Sequence, residues 1–340
     1  MSIIEIKKDP PYILHLDQNK WIELANIYYK SNLDENKKEI LLKIDKLVDL
    51  GKLIVPINHI HIMELSKITD SDRRKSLSDF MLRISKEHVC TAYLLDPFLD
   101  AELNNYINSK RGETNNIINL REKILGFGML TLMGRHIEYK GNVDITQLIN
   151  KTIGLKKIFD DLLDSERGFM MQFEDGIRRS LPRINEGIQH DIDATKNKGK
   201  VFRKRLILAK YIYQFLIPKI KNYCDKTGFN EGELCKILFN DLKQEQSWEE
   251  FFAFFKNLPS TYTFFCLEDG STTPGQHQRN ENDSYDIHSL TLSIPYFDFV
   301  VAERFFISVA KRRHLDRLYK TTLLTKIEDL EPYLDNIMIQ

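Results

Sequence analysis

Five acidic residues of this 340-residue chain lie where strands and helices are expected to begin or end: Asp17, Glu64, Asp286, Asp298 and Glu303. Asp17 directly follows the apolar run 12–16, and Glu303 directly follows the apolar run 299–302. In open α/β sheets, ligands bind outside the carboxyl ends of the strands. The sequence therefore predicts a carboxylate site at that edge of a sheet.

Each acid alone also has an ordinary structural interpretation. Asp17 and Asp286 fit the N-cap position of the helix that follows each of them. Glu64 fits a solvent-facing position on a helix, and Asp298 fits a salt bridge with Arg304. Clustered carboxylates repel one another, however, and are tolerated mainly when a divalent cation neutralises them. Oxygen ligands without cysteine favour Mg²⁺ or Mn²⁺ over zinc.

Other chemistries have weaker support. His59 and His61 alternate around Ile60, but no third ligand follows at a recognisable spacing, so a histidine metal site is not predicted. The chain has no glycine-rich phosphate-binding motif, GxxxxGK[ST] or GxGxxG. No sequence motif therefore supports another class of phosphate-transfer enzyme. The four cysteines are dispersed and form no CxxC pair, a pattern typical of reduced thiols in the cytoplasm.

The order of apolar runs predicts a parallel α/β sheet flanked by helices. In the first part, strands are expected at 12–16 and 53–57, and helices at 21–29, 34–50 and from residue 60. In the closing part, we expect a helix at 286–294, a strand at 297–302 and a helix at 304–313.

The middle of the chain has a different character. Long blocks of helical periodicity, such as 201–224 and 247–258, predict a large all-α insertion. Residues 269–284 have no hydrophobic side chain and predict a loop. The predicted organisation is a first α/β part at 1–114, a helical insertion or subdomain at 115–265 and a closing α/β part at 266–340.

The residues around Asp17 resemble the opening motif of PIN-domain nucleases: a hydrophobic strand, Asp17, one residue, Asn19 and then an apolar helix. Residues 56–65, with Glu64 on a helix, resemble the second motif of that family, and residues 286–305 resemble its closing helix–strand unit. The resemblance covers about residues 10–100 and 280–330. The last acid of the family is usually Asp in a Thr-x-Asp pattern. Here Glu303 follows Val-Ala, so either Asp298 or Glu303 would supply the fourth carboxylate.

This resemblance implies a PIN-like fold and metal-dependent hydrolysis of phosphodiester bonds, most often in RNA, with DNA as the other possible substrate. Asp17 and either Glu303 or Asp298 would bind Mg²⁺ or Mn²⁺ directly. Asp286 would be a ligand or position the water, Glu64 would complete the cage, and Asn19 would orient Asp17. The alternative is an inactive PIN-like scaffold whose helical insertion binds a protein partner, or a second copy of the chain, through 248–255.

Basic and acidic residues balance at 49 each, which excludes a globally basic nucleic-acid binder. Phosphate contacts would then need local patches, and the candidates are Arg203, Lys204 and Arg205, and Lys311, Arg312 and Arg313. A solvated turn is the other interpretation of the first patch, and a cationic last helical turn that of the second. No membrane-spanning run or signal-peptide pattern is evident, so we expect a cytoplasmic protein. Toxin activity, antiviral defence and RNA processing are all compatible with the sequence.

Overall fold

The computed structural model describes residues 6, 8–30, 34–92, 95–132, 138–139, 143–144, isolated positions between 155 and 210, and residues 212–238, 252–271 and 280–339. The chain forms two compact units. The sheet unit comprises Lys7–Tyr93, Leu120–Ile177 and His288–Gln340, and the helical unit comprises Met1–Ile6, Leu94–Asn119 and Arg178–Ile287. Both units are thus assembled from segments separated in sequence. The predicted limits of a helical insertion, 115 and 265, stay a prediction.

The described strands are β1 (Tyr12–Leu16), β2 (Leu53–Ile54), β3 (His88–Cys90), β4 (Leu125–Phe127), β5 (Glu138–Tyr139), β6 (Val143–Asp144), β7 (Phe299–Val301) and β8 (Thr322–Leu324). Four of them form a parallel sheet in the order β2–β1–β7–β8. At its centre, Leu16 lies opposite Val301. The strands β3 and β4 pair antiparallel, and so do β5 and β6. The prediction of an α/β chain with a parallel sheet flanked by helices is confirmed.

The described α-helices are α1 (Gln18–Tyr29), α2 (Glu35–Asp49), α3 (His59–Lys67), α4 (Ser71–Ser85), α5 (Leu95–Arg111), α6 (Leu120–Ile124), α7 (Gly128–Leu132), α8 (Ile217–Thr227), α9 (Glu231–Leu238), α10 (Pro259–Ser271), α11 (Glu281–Tyr296), α12 (Arg304–Arg312), α13 (Leu315–Tyr319) and α14 (Glu331–Ile339). The first four begin at side-chain caps, in which Asp17, Asp34, Asn58 and Asp70 accept hydrogen bonds from backbone N–H groups. Such caps fix where each helix starts.

The central strands are nearly uninterrupted apolar runs because parallel strands are covered on both faces. Leu14 and Leu16 of β1 are fully buried, and so is Val301 of β7. Trp21 and Leu24 of α1 are equally buried and belong to the same core. Complete burial of each such side chain stabilises the fold by about 1.5–3 kcal/mol. This packing holds the start of α1 in place beside the carboxyl end of β1.

The helical unit contains α5, α8, α9, α10 and the first residues of α11. The buried carboxylate of Glu102 accepts hydrogen bonds from the N–H of Ser260 at 2.6 Å and from the hydroxyl of Thr261 at 3.0 Å, and so caps α10. Phe254 and Phe255 are fully buried, and Phe254 packs edge-on against Tyr106 with ring centroids 5.0 Å apart. These two phenylalanines therefore belong to a core, whereas residues 248–251 of the predicted interface lie outside the described residues.

The predicted loop at 269–284 is wrong where the structure describes it. Residues 269–271 continue α10, and residues 281–284 begin α11, while 272–279 lie outside the described residues. The polar residues at the second end form a helix cap. The side chain of Asn280 accepts from the N–H of Asp283, and the side chain of Asp283 accepts from the N–H of Asn280. Polarity here marks the start of a helix rather than a loop.

Candidate active site

Asp17 lies at the carboxyl end of β1, where the chain passes into α1. Its N–H donates to the carbonyl of Val301 on the neighbouring strand β7 at 3.0 Å. Its carboxylate accepts from the N–H of Gln18 at 2.8 Å. The N-cap interpretation of Asp17 is thus confirmed, and the same geometry holds its half-buried carboxylate at the edge of the sheet. The two interpretations of this residue are compatible.

Glu303 lies at the same edge, two residues after β7. It occupies the N-cap position of α12, where its side chain makes no capping hydrogen bond. Asn19 of α1 instead donates from Nδ2 to Oε1 of Glu303 at 2.9 Å. Because β1 and β7 are adjacent parallel strands, their carboxyl ends bring residues from both ends of the chain together. The structure therefore unites three predicted site residues: Asp17, Asn19 and Glu303.

The surroundings of Asp17 disfavour the ionised form of its carboxyl group. Its pKa is raised from 3.8 to about 6, mainly by burial and also by the negative charge of Glu303, against the hydrogen bond from Gln18 and the charge of Lys20. Lys20 is itself engaged by Glu23 at 3.2 Å. A buried acid of raised pKa next to a second carboxylate has the electrostatic character of a cation site.

Gln18, directly after Asp17, is a buried polar residue that sequence reasoning missed. Its side chain is 5% exposed, and neither its Oε1 nor its Nε2 has a hydrogen-bond partner among the described residues. The indole N–H of Trp21, one turn later, is also buried without such a partner. Buried polar groups are normally satisfied, so unsatisfied ones in the first turn of α1 require an explanation.

A buried histidine network supports the edge of the sheet. The N–H of Asn58 donates to Nδ1 of His61 at 3.1 Å, which leaves Nε2 of His61 to donate to the carbonyl of Leu16 at 2.9 Å. His15 stacks on His61 with ring centroids 5.8 Å apart, and its Nε2 lies 3.2 Å from Oγ of Ser289. Asn58 also donates to Oγ of Ser289 at 2.8 Å. The network therefore ties β1, α3 and α11 together next to Asp17.

The histidines of this region are suited to neutral, structural roles. Burial lowers the pKa of His15 and of His59 to about 3 each, and lowers that of His61 well below 6.5. Both ring nitrogens of His61 are engaged in hydrogen bonds. The signal that could have revealed this network is His15, a polar residue in the middle of an apolar strand.

The predicted acids Glu64 and Asp286 do not form a metal-binding group with Asp17 and Glu303 among the described residues. Glu64 lies half-buried in the second half of α3. Asp286 lies inside α11 rather than at its start, because the helix begins at Glu281, so its N-cap interpretation is wrong. That part of α11 belongs to the helical unit. Within the described part of the chain, no group of three or more His, Cys, Asp or Glu side chains is placed to hold a metal ion.

Asp298 is held at the opposite edge of the sheet, at the start of β7. Its Oδ2 accepts from Arg121 at 2.6 Å and from the N–H of Ile13 at 2.7 Å. The expected salt bridge with Arg304 is thus replaced by a buried one with Arg121. Lys8 reaches the same place, donating to the carbonyl of Phe297 and to the hydroxyl of Thr321. Of the two alternatives for the fourth carboxylate, Glu303 is the one beside Asp17.

Of the two predicted basic patches, 203–205 is described only at Arg205, and 311–313 is described in full. Arg203 and Lys204 lie outside the described residues, and Arg205 is exposed. Lys311 and Arg312 are exposed in the last turn of α12, and Arg313 is half-buried at its end. The second patch therefore belongs to the helix that begins directly after Glu303.

No protein-family model, curated protein or solved structure matches this chain. None of the described helices combines the length and the apolar composition that crossing a lipid bilayer requires.

Proposed function

We propose that this chain is a cytoplasmic PIN-like nuclease that hydrolyses phosphodiester bonds with Mg²⁺ or Mn²⁺ bound at Asp17 and Glu303. The observation that carries the proposal is that Asp17 and Glu303 follow adjacent parallel strands at their carboxyl ends, where Asn19, two residues after Asp17, donates a hydrogen bond to Glu303. This is the edge at which α/β folds place their ligands. RNA is the proposed substrate because the resemblance to PIN-domain nucleases favours it.

The residues present fit a hydrated divalent cation. Mg²⁺ is commonly held by one or two carboxylates, with water and substrate phosphate completing its coordination. Burial, and then the negative charge of Glu303, raise the pKa of Asp17 and disfavour its ionised form, which a bound cation would stabilise. The unsatisfied amide of Gln18 adds polar atoms next to Asp17. The pair is smaller than the four-carboxylate cage that the resemblance implies, and we retain Glu64 and Asp286 as proposed contributors only.

In this proposal, each residue has a distinct task. Asp17 would hold the cation from a position fixed by its cap and by its backbone bond to Val301. Glu303 would hold it from the N-cap position of α12, and Asn19, which the resemblance expected to orient Asp17, instead restrains the Glu303 carboxylate through a hydrogen bond. When bound, the cation would lower the pKa of a water and stabilise charge on the phosphate. Asp17 must be ionised to bind it, so the Mn²⁺ concentration that gives half-maximal cleavage should rise as the pH falls below about 6.

The second candidate function is an inactive PIN-like scaffold. The specific observation in its favour is that the described residues include no group of three metal-ligating side chains. Its partner surface cannot be Phe254 and Phe255, because both are fully buried. A scaffold would leave RNA uncleaved whatever metal is added.

The proposal is tested by cleavage of a labelled RNA with Mn²⁺, Mg²⁺ or a chelator. Asp17→Asn should lower the rate about a hundredfold or more, which is on the order of 2.7 kcal/mol in the barrier. Asp34→Asn is the matched control, because Asp34 caps α2 as Asp17 caps α1, and asparagine preserves a cap. The control should cleave within about twofold of wild type. Equal rates for Asp17→Asn and Asp34→Asn would exclude Asp17 from the chemistry.

A further inference from the structure

The segment that follows Glu303 carries a concentration of positive charge. Residues 304–320 include six basic side chains and a single acid, Asp316. Four of the basic side chains are exposed and make no ion pair or hydrogen bond with a described residue: Arg304, Lys311, Arg312 and Arg317. The segment of α12 and α13 therefore carries unpaired positive charge in a chain whose formal net charge is zero.

Helical geometry places this charge on one side of α12. At about 3.6 residues per turn, Lys311 lies about 20° and Arg312 about 80° from Arg304 around the helix axis, so all three share one side of α12. The other side carries Phe306, Val309 and Ala310, all buried. Between Arg304 and Arg312 the helix rises about 12 Å. The exposed side thus forms a positive stripe that starts next to Glu303.

We propose that Arg304, Lys311, Arg312 and Arg317 bind the phosphate backbone of a nucleic-acid strand and lead it to Asp17 and Glu303. The inference rests on the proposed function for the destination of the strand. Two adjacent carboxylates repel an approaching phosphodiester, and a protein of zero net charge has no general attraction for it. The unpaired cations on the exposed side of α12, together with the exposed Arg317 on α13, supply that attraction.

The same stripe is poorly suited to a membrane surface. A helix that lies on a bilayer presents large apolar side chains beside its basic ones. All residues of α12 and α13 are described, and no large hydrophobic side chain is exposed on either helix. Positive charge without exposed apolar surface matches a polyphosphate strand, which is bound mainly through its backbone charge.

The test compares two charge-reversed triple variants in chelator, where binding is measured without cleavage. The first is Lys311→Glu/Arg312→Glu/Arg317→Glu, and the control is Lys30→Glu/Arg73→Glu/Lys75→Glu, three exposed basic residues of the same unit without a described side-chain partner. The probe is a fluorescein-labelled, mixed-sequence single-stranded RNA. The first variant should lose roughly tenfold or more in affinity, and the slope of log affinity against log salt should fall by about 2 in magnitude. The control should keep both.

The charge-neutral triple Lys311→Gln/Arg312→Gln/Arg317→Gln should give a smaller loss of the same kind, and it replaces the reversed variant if that variant fails to fold. Single-stranded DNA of the same sequence should bind within a few fold of RNA, because phosphates are recognised. The proposal is overturned by equal losses in the two triples, an unchanged salt slope, RNA affinity too weak to measure at low salt, or a preference for phosphatidylserine vesicles. Binding through α12 without any cleavage would support this surface and contradict the proposed function.

Discussion

Asn19 and Glu303 are separated by 284 positions in the sequence, yet Nδ2 of Asn19 lies 2.9 Å from Oε1 of Glu303. This hydrogen bond joins the first turn of α1 to the start of α12. It exists because β1 and β7 run side by side in the same direction, so that the residues after both strands emerge at one edge. Asp17, in the same turn as Asn19, shares that edge.

Replacing Asn19 should weaken the affinity of the site for Mn²⁺ without destabilising the fold. Asn19→Ala frees the Glu303 carboxylate, so the Mn²⁺ concentration that gives half-maximal cleavage should rise roughly 10–100-fold, as when an outer hydrogen-bond partner of a ligand is lost. Asn36→Ala is the matched control, since Asn36 is the second residue after the cap of α2 as Asn19 is after the cap of α1. A metal titration of cleavage measures both. Equal titration curves for the two variants would show that Asn19 has no positioning role.

Asp17 should make the metal-free protein less stable as the pH rises from 3.8 to about 6. Folding raises its pKa across that interval, so the folded chain retains a proton that the unfolded chain has lost. The free energy of unfolding should therefore fall by at most about 3 kcal/mol as the pH increases. Asp17→Asn should remove this dependence and be at least as stable as wild type at pH 7. Denaturant unfolding over this pH range is the measurement, and parallel curves for the two proteins would contradict it.

Breaking the buried ion pair between Arg121 and Asp298 should lower the stability of the fold without affecting Mn²⁺ binding. Arg121→Met removes the ion-pair partner of the buried Asp298 carboxylate and should cost about 3–5 kcal/mol. Asp298→Asn should also destabilise, since Arg121 and the N–H of Ile13 both lose a charged acceptor. Chemical unfolding measures these losses. At a temperature where Asp298→Asn remains folded, Mn²⁺ should stabilise it as much as it stabilises wild type. Loss of this stabilisation would indicate that Asp298 is a metal ligand after all.

His59 should contribute to acid sensitivity. Burial, and then the charge of His288, lower its pKa from 6.5 to about 3. Between these pH values His59 is protonated in the unfolded chain and neutral in the folded chain. Its contribution to the free energy of unfolding should fall by about 2 kcal/mol between pH 6.5 and pH 5. Nδ1 of His59 has no hydrogen-bond partner among the described residues, so His59→Leu removes the titration without breaking such a bond. Its stability should depend less on pH over this interval, and an unchanged pH dependence would contradict this.

Local patterns in the sequence were sufficient to predict β1, α2 and α12 within a few residues, because apolar runs and caps act over short distances. They also predicted that Asp17 and Glu303 share an edge, which follows from parallel strands. The role of Asp298 was missed because its partner, Arg121, is 177 positions away in sequence. The position of Asp286 was missed because the polar residues before it form a helix cap rather than a loop. Tertiary partners, unlike periodicity, leave no local signal.

The central claim, that Asp17 and Glu303 jointly hold a divalent cation, is tested most directly by thermal unfolding with and without Mn²⁺. Binding to the folded state at a hundredfold excess over the dissociation constant should stabilise wild type by about 2.7 kcal/mol, seen as a rise in Tm. Asp17→Asn and Glu303→Gln should each lose most of that rise, and Asp34→Asn should keep it. A wild-type Tm that Mn²⁺ leaves unchanged, or a full rise in both site variants, would contradict the claim.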